Sequence, residues 1–282
     1  MNEVAEASPQ ARWEAQLRLG YARVHDRTTL VERRHQGPLY VQKPFYPEGP
    51  ATCHTILVHP PGGIAGGDEL TIELALGEGS HVLATTPGAA KWYRSEDRPA
   101  SQTLRFGLAA GALLEWLPQE TIIFNAARAR SATRVVLAEG AAFLGWEIIC
   151  LGRAASGEKF IRGRLDLDTR VDIAGKPYWI ERGCVEGGDA ALHSPIGWSG
   201  HSVFATLFAA GRIASAEIVQ LCRNVEAEAG ARSGVTAMGP LLVARYLGDS
   251  SLRAKAYCTG VWQRLRPWLA GKEATLPRIW ST

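Results

Sequence analysis

The sequence predicts a mainly β protein, its strands stacked into a β-helix-like array, with two α-helices confined to the C-terminal third. Three observations lead there. Apolar and polar residues alternate in runs from residue 13 to about residue 185, with no sustained 3.6-residue period. A turn motif recurs at near-constant spacing. Helical periodicity first appears after residue 215.

Trp13, Ala15, Leu17, Leu19 and Tyr21 alternate with Glu14, Gln16, Arg18 and Gly20, the pattern of a half-buried strand. Leu70, Ile72, Leu74 and Leu76 repeat it against Thr71, Glu73 and Ala75. Strand-like runs follow over 102–108, 121–124, 133–137, 143–151, 164–173 and 178–181, punctuated by glycine or proline. The motif L-x-x-G-[S/A] occurs at Leu76–Ser80, Leu108–Ala112 and Leu137–Ala141, with glycines at 79, 111 and 140. Val82, Leu114 and Phe143 sit at the same offset after each glycine. Self-similarity at this period points to strand-turn-strand layers, as in a β-solenoid or a two-sheet stack. The alternative is that Gly-Ala and Gly-Ser are simply common in β-turns.

Further strands are expected at 203–209 and 241–246. Ser215 as N-cap, Glu217 in the first turn, and Ile218, Leu221, Cys222 and Val225 at i, i+3, i+4 and i+7 predict a helix ending at Gly230. A second helix begins near Ser250 or Ser251, presents Tyr257, Val261 and Leu265, and ends before Pro267. The proline-broken tail ends in Ile279-Trp280, which predicts docking onto this or another protein. Nine tryptophans, among them Trp198, Trp262, Trp268 and Trp280, suggest partner surfaces and poor solubility of the isolated chain.

The 282 residues suffice for one large domain or two small ones. We divide them into a flexible segment, 1–12, and a single domain, 13–282, β-rich over 13–200 and helix-containing over 201–282. A formal net charge of +3, with no basic stretch interleaved with aromatics, argues against nucleic acid. No apolar run is long enough to span a bilayer. Met1 to Arg12 holds two acids and no apolar core, unlike a signal peptide. Five scattered cysteines without a C-x-x-C pair argue against a disulfide framework and a structural zinc site, so a cytoplasmic location is expected.

The most specialised stretch is His59-Pro-Pro-Gly-Gly-Ile-Ala-Gly-Gly-Asp68. It is not a phosphate loop, because Asp68-Glu69 stands where a Lys-Ser/Thr pair is needed. It also lacks the dinucleotide spacing G-x-G-x-x-G. Cys53 and His59 would share a strand face but lie ~20 Å apart, with His54 pointing away, so the three do not close a metal site by themselves. Gly197-Trp-Ser-Gly-His201 only partly matches a nucleophile elbow. Glu147 and Glu181 each interrupt an apolar strand. Such an acid must pair, bind metal or face a polar cavity. Arg153, Arg162 and Arg182 are the available ion-pair partners, and an outward-facing edge position is the other alternative.

Several of these segments together resemble the urease accessory protein family UreD, called UreH in some organisms. The resemblance lies in His59–Asp68, in Thr85-Thr-Pro-Gly-Ala-Ala-Lys-Trp-Tyr-Arg-Ser95, and in Glu115-Trp-Leu-Pro-Gln-Glu-Thr-Ile122. Gly145–Arg153 and the closing Leu276-Pro-Arg-Ile-Trp280 extend it, so that it runs from about Trp13 to the end. It implies a non-enzymatic, mostly β scaffold with two helices. This scaffold binds apo-urease and, through UreF, recruits the GTPase UreG. It also implies an internal channel for nickel in transit, with no tightly bound cofactor. By the resemblance, the channel carboxylates fall on Asp68, Glu147 and Glu181. The family's occasional small hydroxyl positions in the 87–90 segment are Ala89 and Ala90 here. Two other classes stay open: a pure assembly scaffold without a metal path, and a serine hydrolase using Ser199 and His201.

Overall fold

The computed structural model describes residues 13–95 and 97–281; the expected flexible segment, 1–12, lies outside them. Strands β1 (Glu14–Val24), β2 (Arg27–Gln36) and β3 (Tyr40–Val41) lead into β4 (Thr52–Val58). β5 (Glu69–Leu76), β6 (His81–Thr85) and β7 (Ala90–Trp92) follow, and β8 (Ala100–Leu108), β9 (Leu113–Leu117) and β10 (Thr121–Ile123) repeat the course. Next come β11 (Arg128–Leu137), β12 (Ala142–Leu151), and the hairpin of β13 (Arg164–Ile173) with β14 (Lys176–Glu186). The remainder is β15 (Val203–Ala210), α1 (Ala216–Arg223), β16 (Arg232–Met238), β17 (Leu241–Gly248) and α2 (Ser251–Ala270).

Two walls result. β1, β5, β8, β11 and β13 pair in parallel as the first. β4, β6, β9 and β12 pair in parallel as the second and mark four successive turns of a solenoid. A short third side joins β7 to β10 and β10 to the end of β12. Antiparallel strands then widen the walls: β14 and β2 extend the first, and β15, β17 and β16 extend the second.

The repeated glycines explain the coiling. Gly79, Gly111 and Gly140 all adopt positive φ, at 63°, 67° and 76°, where a side chain is strained. Their turns stack: Ala109 N–H donates to Leu76 C=O, Ala138 to Leu108 and Ala174 to Leu137, at 2.9, 2.9 and 2.8 Å. The L-x-x-G-[S/A] motif is therefore the corner of each layer. Inward leucines of the first wall meet Trp116 and Phe143 of the second, with Phe106 5.1 and 5.8 Å from those rings.

The other face of the second wall carries the helices. Tyr257, Val261 and Leu265 of α2 are buried there as the spacing predicts, each such side chain contributing roughly 1.5–3 kcal/mol. Trp262 is also fully buried, and Trp280 packs on Trp146 and Trp262. Trp262 therefore belongs to the core rather than to a partner surface, and the tail docks onto this chain itself.

The helix limits differ from expectation. α1 stops at Arg223, not Gly230, because the chain leaves the helix to lay Val225 against Gly260, where an added Cβ would stand 2.9 Å from Val225. Leu221 is exposed, and Val219 and Cys222 carry the buried face. α2 continues through Pro267 to Ala270, and Gly271 caps it with an N–H to Pro267 C=O at 3.0 Å. Burial of Leu265, Arg266 and Leu269 holds this last turn despite the proline.

Candidate functional site

Glu147 is the one residue of β12's ten that keeps partial exposure. Its neighbours Trp146 and Ile148 pack toward the helices, so alternation turns Glu147 the other way, between the walls. The surface it keeps faces a cavity. A space of about 540 Å³ opens between the β13–β14 edge and strands β15–β17, with Glu147, Thr169, Glu181, Thr206 and Arg245 on its wall. A separate, smaller space of about 90 Å³ lies beside it, with Gln102, Thr133 and Trp116 on its wall. Glu147, Thr169 and Phe208 line both, so Glu147 stands between the two.

Among the described residues Glu147 finds one hydrogen bond, from the Ser131 hydroxyl at 3.3 Å. Burial pushes its carboxyl up to about 7, the Ser131 bond opposing and the charge of Glu181 adding. Arg153, Arg162 and Arg182, the cations nearest in sequence, do not pair with it. Glu181 reaches the same cavity from β14, whose Glu181 pairs in register with Thr169. Its partner is Arg245 of β17, with Nη2 2.6 Å from Oε1.

Asp68 lies apart. It lines neither cavity, and its carboxylate accepts the Ala65 N–H at 2.8 Å, closing the proline-glycine loop. Strand spacing separates its Cα from that of Ser131 by roughly 12 Å. The loop itself adds a layer to the third side: Ile64 N–H donates to Lys91 C=O and Tyr93 N–H to Ile64 C=O. Gly63 and Gly66 permit this contact, since an added Cβ would fall 2.2 Å from the Tyr93 ring or 2.1 Å from Ser95 Oγ.

A second acid cluster occupies the opposite face of the same wall. Glu115 of β9 accepts from His81 Nε2 at 2.7 Å, Trp262 Nε1 at 2.5 Å and Arg266 Nε at 3.0 Å. Arg266 Nη2 also meets Glu48, which pairs with His54. Burial would raise the Glu115 carboxyl, but the bond and charge of His81, then Arg266 and Trp262, hold it down to about 2. Cys53 is in the core and His54 is committed to Glu48, so neither joins His59 in a metal site.

The hydrolase reading fails on geometry. The Ser199 hydroxyl donates to Pro195 C=O, while His201 Nδ1 is engaged by Asp249 at 2.9 Å. Ser199 and His201 form no nucleophile–base pair. Among the described residues, no group of three or more His, Cys, Asp and Glu is arranged to hold a metal ion. No helix among them is long and apolar enough to cross a membrane.

The family model "UreD urease accessory protein" matches residues 14–281. The urease accessory protein UreD of Dechloromonas aromatica is 50% identical over 280 residues, covering 98% of this chain and 96% of the relative. That of Pseudomonas aeruginosa is 51% identical over 272 residues, covering 96% and 95%. That of Azoarcus sp. strain BH72 is 46% identical over 286 residues, covering all of both chains. The chain belongs to the UreD urease accessory protein family. It is an accessory protein of urease maturation and not an enzyme. The sequence resemblance thus named the family correctly. Gln102, Ser131, Thr133, Thr169 and Thr206 escaped the sequence reading, because polar residues in a strand read as solvent-facing.

Proposed function

We propose that this chain, assembled with apo-urease and with accessory proteins of the UreF and UreG type, passes nickel to the urease through the cavity between its walls. One observation carries the reading: Glu147, set deep in an otherwise buried strand, faces a cavity without a cationic partner among the described residues. An acid left unpaired there is costly to the fold, and a passing cation gives it a use. Oxygen donors run along the space, from Glu181 past Thr206 and Glu147 to Thr133 and Gln102, with the Cys184 thiol beside them in the larger cavity. Oxygen donors hold Ni²⁺ more loosely than imidazole or thiolate, as transit requires.

Asp68 enters this path on the resemblance alone. Its Ala65 bond gives it a loop-closing role, so Asp68→Asn separates a nickel station from a structural one. The test uses Glu147→Ala, Glu181→Ala and the triple variant with Asp68→Ala. Pull-down of the assembled complex is read beside metal analysis of the urease produced. Assembly should survive while nickel content falls severalfold. Normal nickel in the triple variant would favour a pure assembly scaffold.

A further inference from the structure

Arg245 belongs to a cross-strand row that begins at Glu147. Glu147 pairs in register with Thr206, and Thr206 with Arg245, so the three point to one side of the second wall. From there the Arg245 side chain crosses to the first wall, where Nη2 meets Glu181 at 2.6 Å. Its Nη1 stays 3.4 Å from the Thr206 hydroxyl. A fixed cation therefore stands across the larger cavity, holding one of the two acids that line it.

Four considerations fit this pair for exchange. A guanidinium cannot shed its proton, so it cannot yield Glu181 to a metal except by moving. The Arg245 and Glu181 side chains are 43% and 33% exposed, and an ion pair that wet is weak. A divalent cation doubles the Coulomb attraction a carboxylate offers a monovalent one. The Trp179 ring, 6.0 Å from the guanidinium carbon, gives the displaced side chain an aromatic face to rest on.

We propose that Arg245 is a displaceable gate: its guanidinium occupies Glu181 and closes the route to Glu147 until a divalent cation exchanges for it. The proposal rests on the nickel-path reading and names the residue that controls entry to it. Arg245 is a positioning residue here, acting through Glu181.

Equilibrium dialysis of ⁶³Ni²⁺ against the full-length chain tests it, with Arg245→Ala, Arg245→Gln, Arg245→Lys and Arg245→Ala/Glu181→Gln. Removing the guanidinium should tighten nickel binding about tenfold in both neutral variants. The lysine variant should stay near wild type, and the double variant should lose the gain. The glutamine variant keeps the side chain's length and guards against loss of packing in the alanine one. Unchanged or weaker binding in a folded neutral variant overturns the gate, and so does a gain that persists without Glu181. The underlying path fails separately: Glu147→Gln would then leave the nickel content of urease unchanged, whatever Arg245 does.

Discussion

Glu115 and Glu147 sit on neighbouring strands, β9 and β12, and leave the same wall by opposite faces. Toward the helices, Glu115 meets a histidine, an indole and an arginine, and is held down to about 2. Toward the solenoid interior, Glu147 meets one hydroxyl and is pushed up to about 7. Depth in the fold is similar, but pairing is not. A saturated buried acid is part of the scaffold, whereas an unsaturated one between two cavities keeps its ligand capacity. The two acids differ in pairing within one sheet, and the proposed nickel path rests on that difference.

The largest effect belongs to the saturated face. Arg266→Ala strips Glu115 and Glu48 of their shared guanidinium and should cost about 3–5 kcal/mol in denaturant unfolding. A loss below about 1 kcal/mol would break the contrast, since such a value belongs to exposed pairs.

The two acids should also pull stability in opposite directions with pH. Glu115 titrates lower in the folded chain than in the unfolded one, so its contribution is present above the ordinary carboxylate range and lost as pH falls toward 2. Glu147 titrates higher when folded. Its native carboxyl binds the proton more tightly, so stability falls as pH rises from the ordinary range through about 7. Glu147→Gln should therefore match wild type near pH 4 and exceed it by on the order of 2 kcal/mol at pH 8. Thermal melts across that range measure the gap, and curves that stay parallel would place a hidden cation beside Glu147.

The smallest effect is expected at the cavity mouth. Glu181→Gln breaks a half-exposed pair and should change stability by less than about 1 kcal/mol. A larger loss would make Glu181 a structural acid like Glu115.

The solenoid was legible because its signals are local. Alternation marks the inward leucines of β1 and β5, and Gly79, Gly111 and Gly140 mark corners that need positive φ. Glu147 was legible as an acid in a buried apolar strand, whereas the apolar run around Glu181 is an edge strand with Tyr178 and Ile180 exposed. The partners of these acids were not legible, because those choices are made across the fold. Arg266 lies 151 residues from Glu115, and Arg245 lies 64 from Glu181. The same distance hides why α2 passes through Pro267, since Arg266 beside it is fixed by Glu48 and Glu115 from the solenoid. Asp68 sits in the most specialised loop of the sequence, yet its carboxylate closes that loop and lines neither cavity.

The contrast meets its most direct test in the nickel delivered per assembled complex, measured side by side for Glu115→Gln and Glu147→Gln. Glu115→Gln should lower the yield of folded chain, while the complexes that do form load urease as wild type does. Glu147→Gln should fold at least as well and assemble normally, yet load severalfold less nickel. Equal loading by the Glu147→Gln complex, or a loading defect confined to the Glu115→Gln complex, would contradict the assignment of Glu147 to the nickel path.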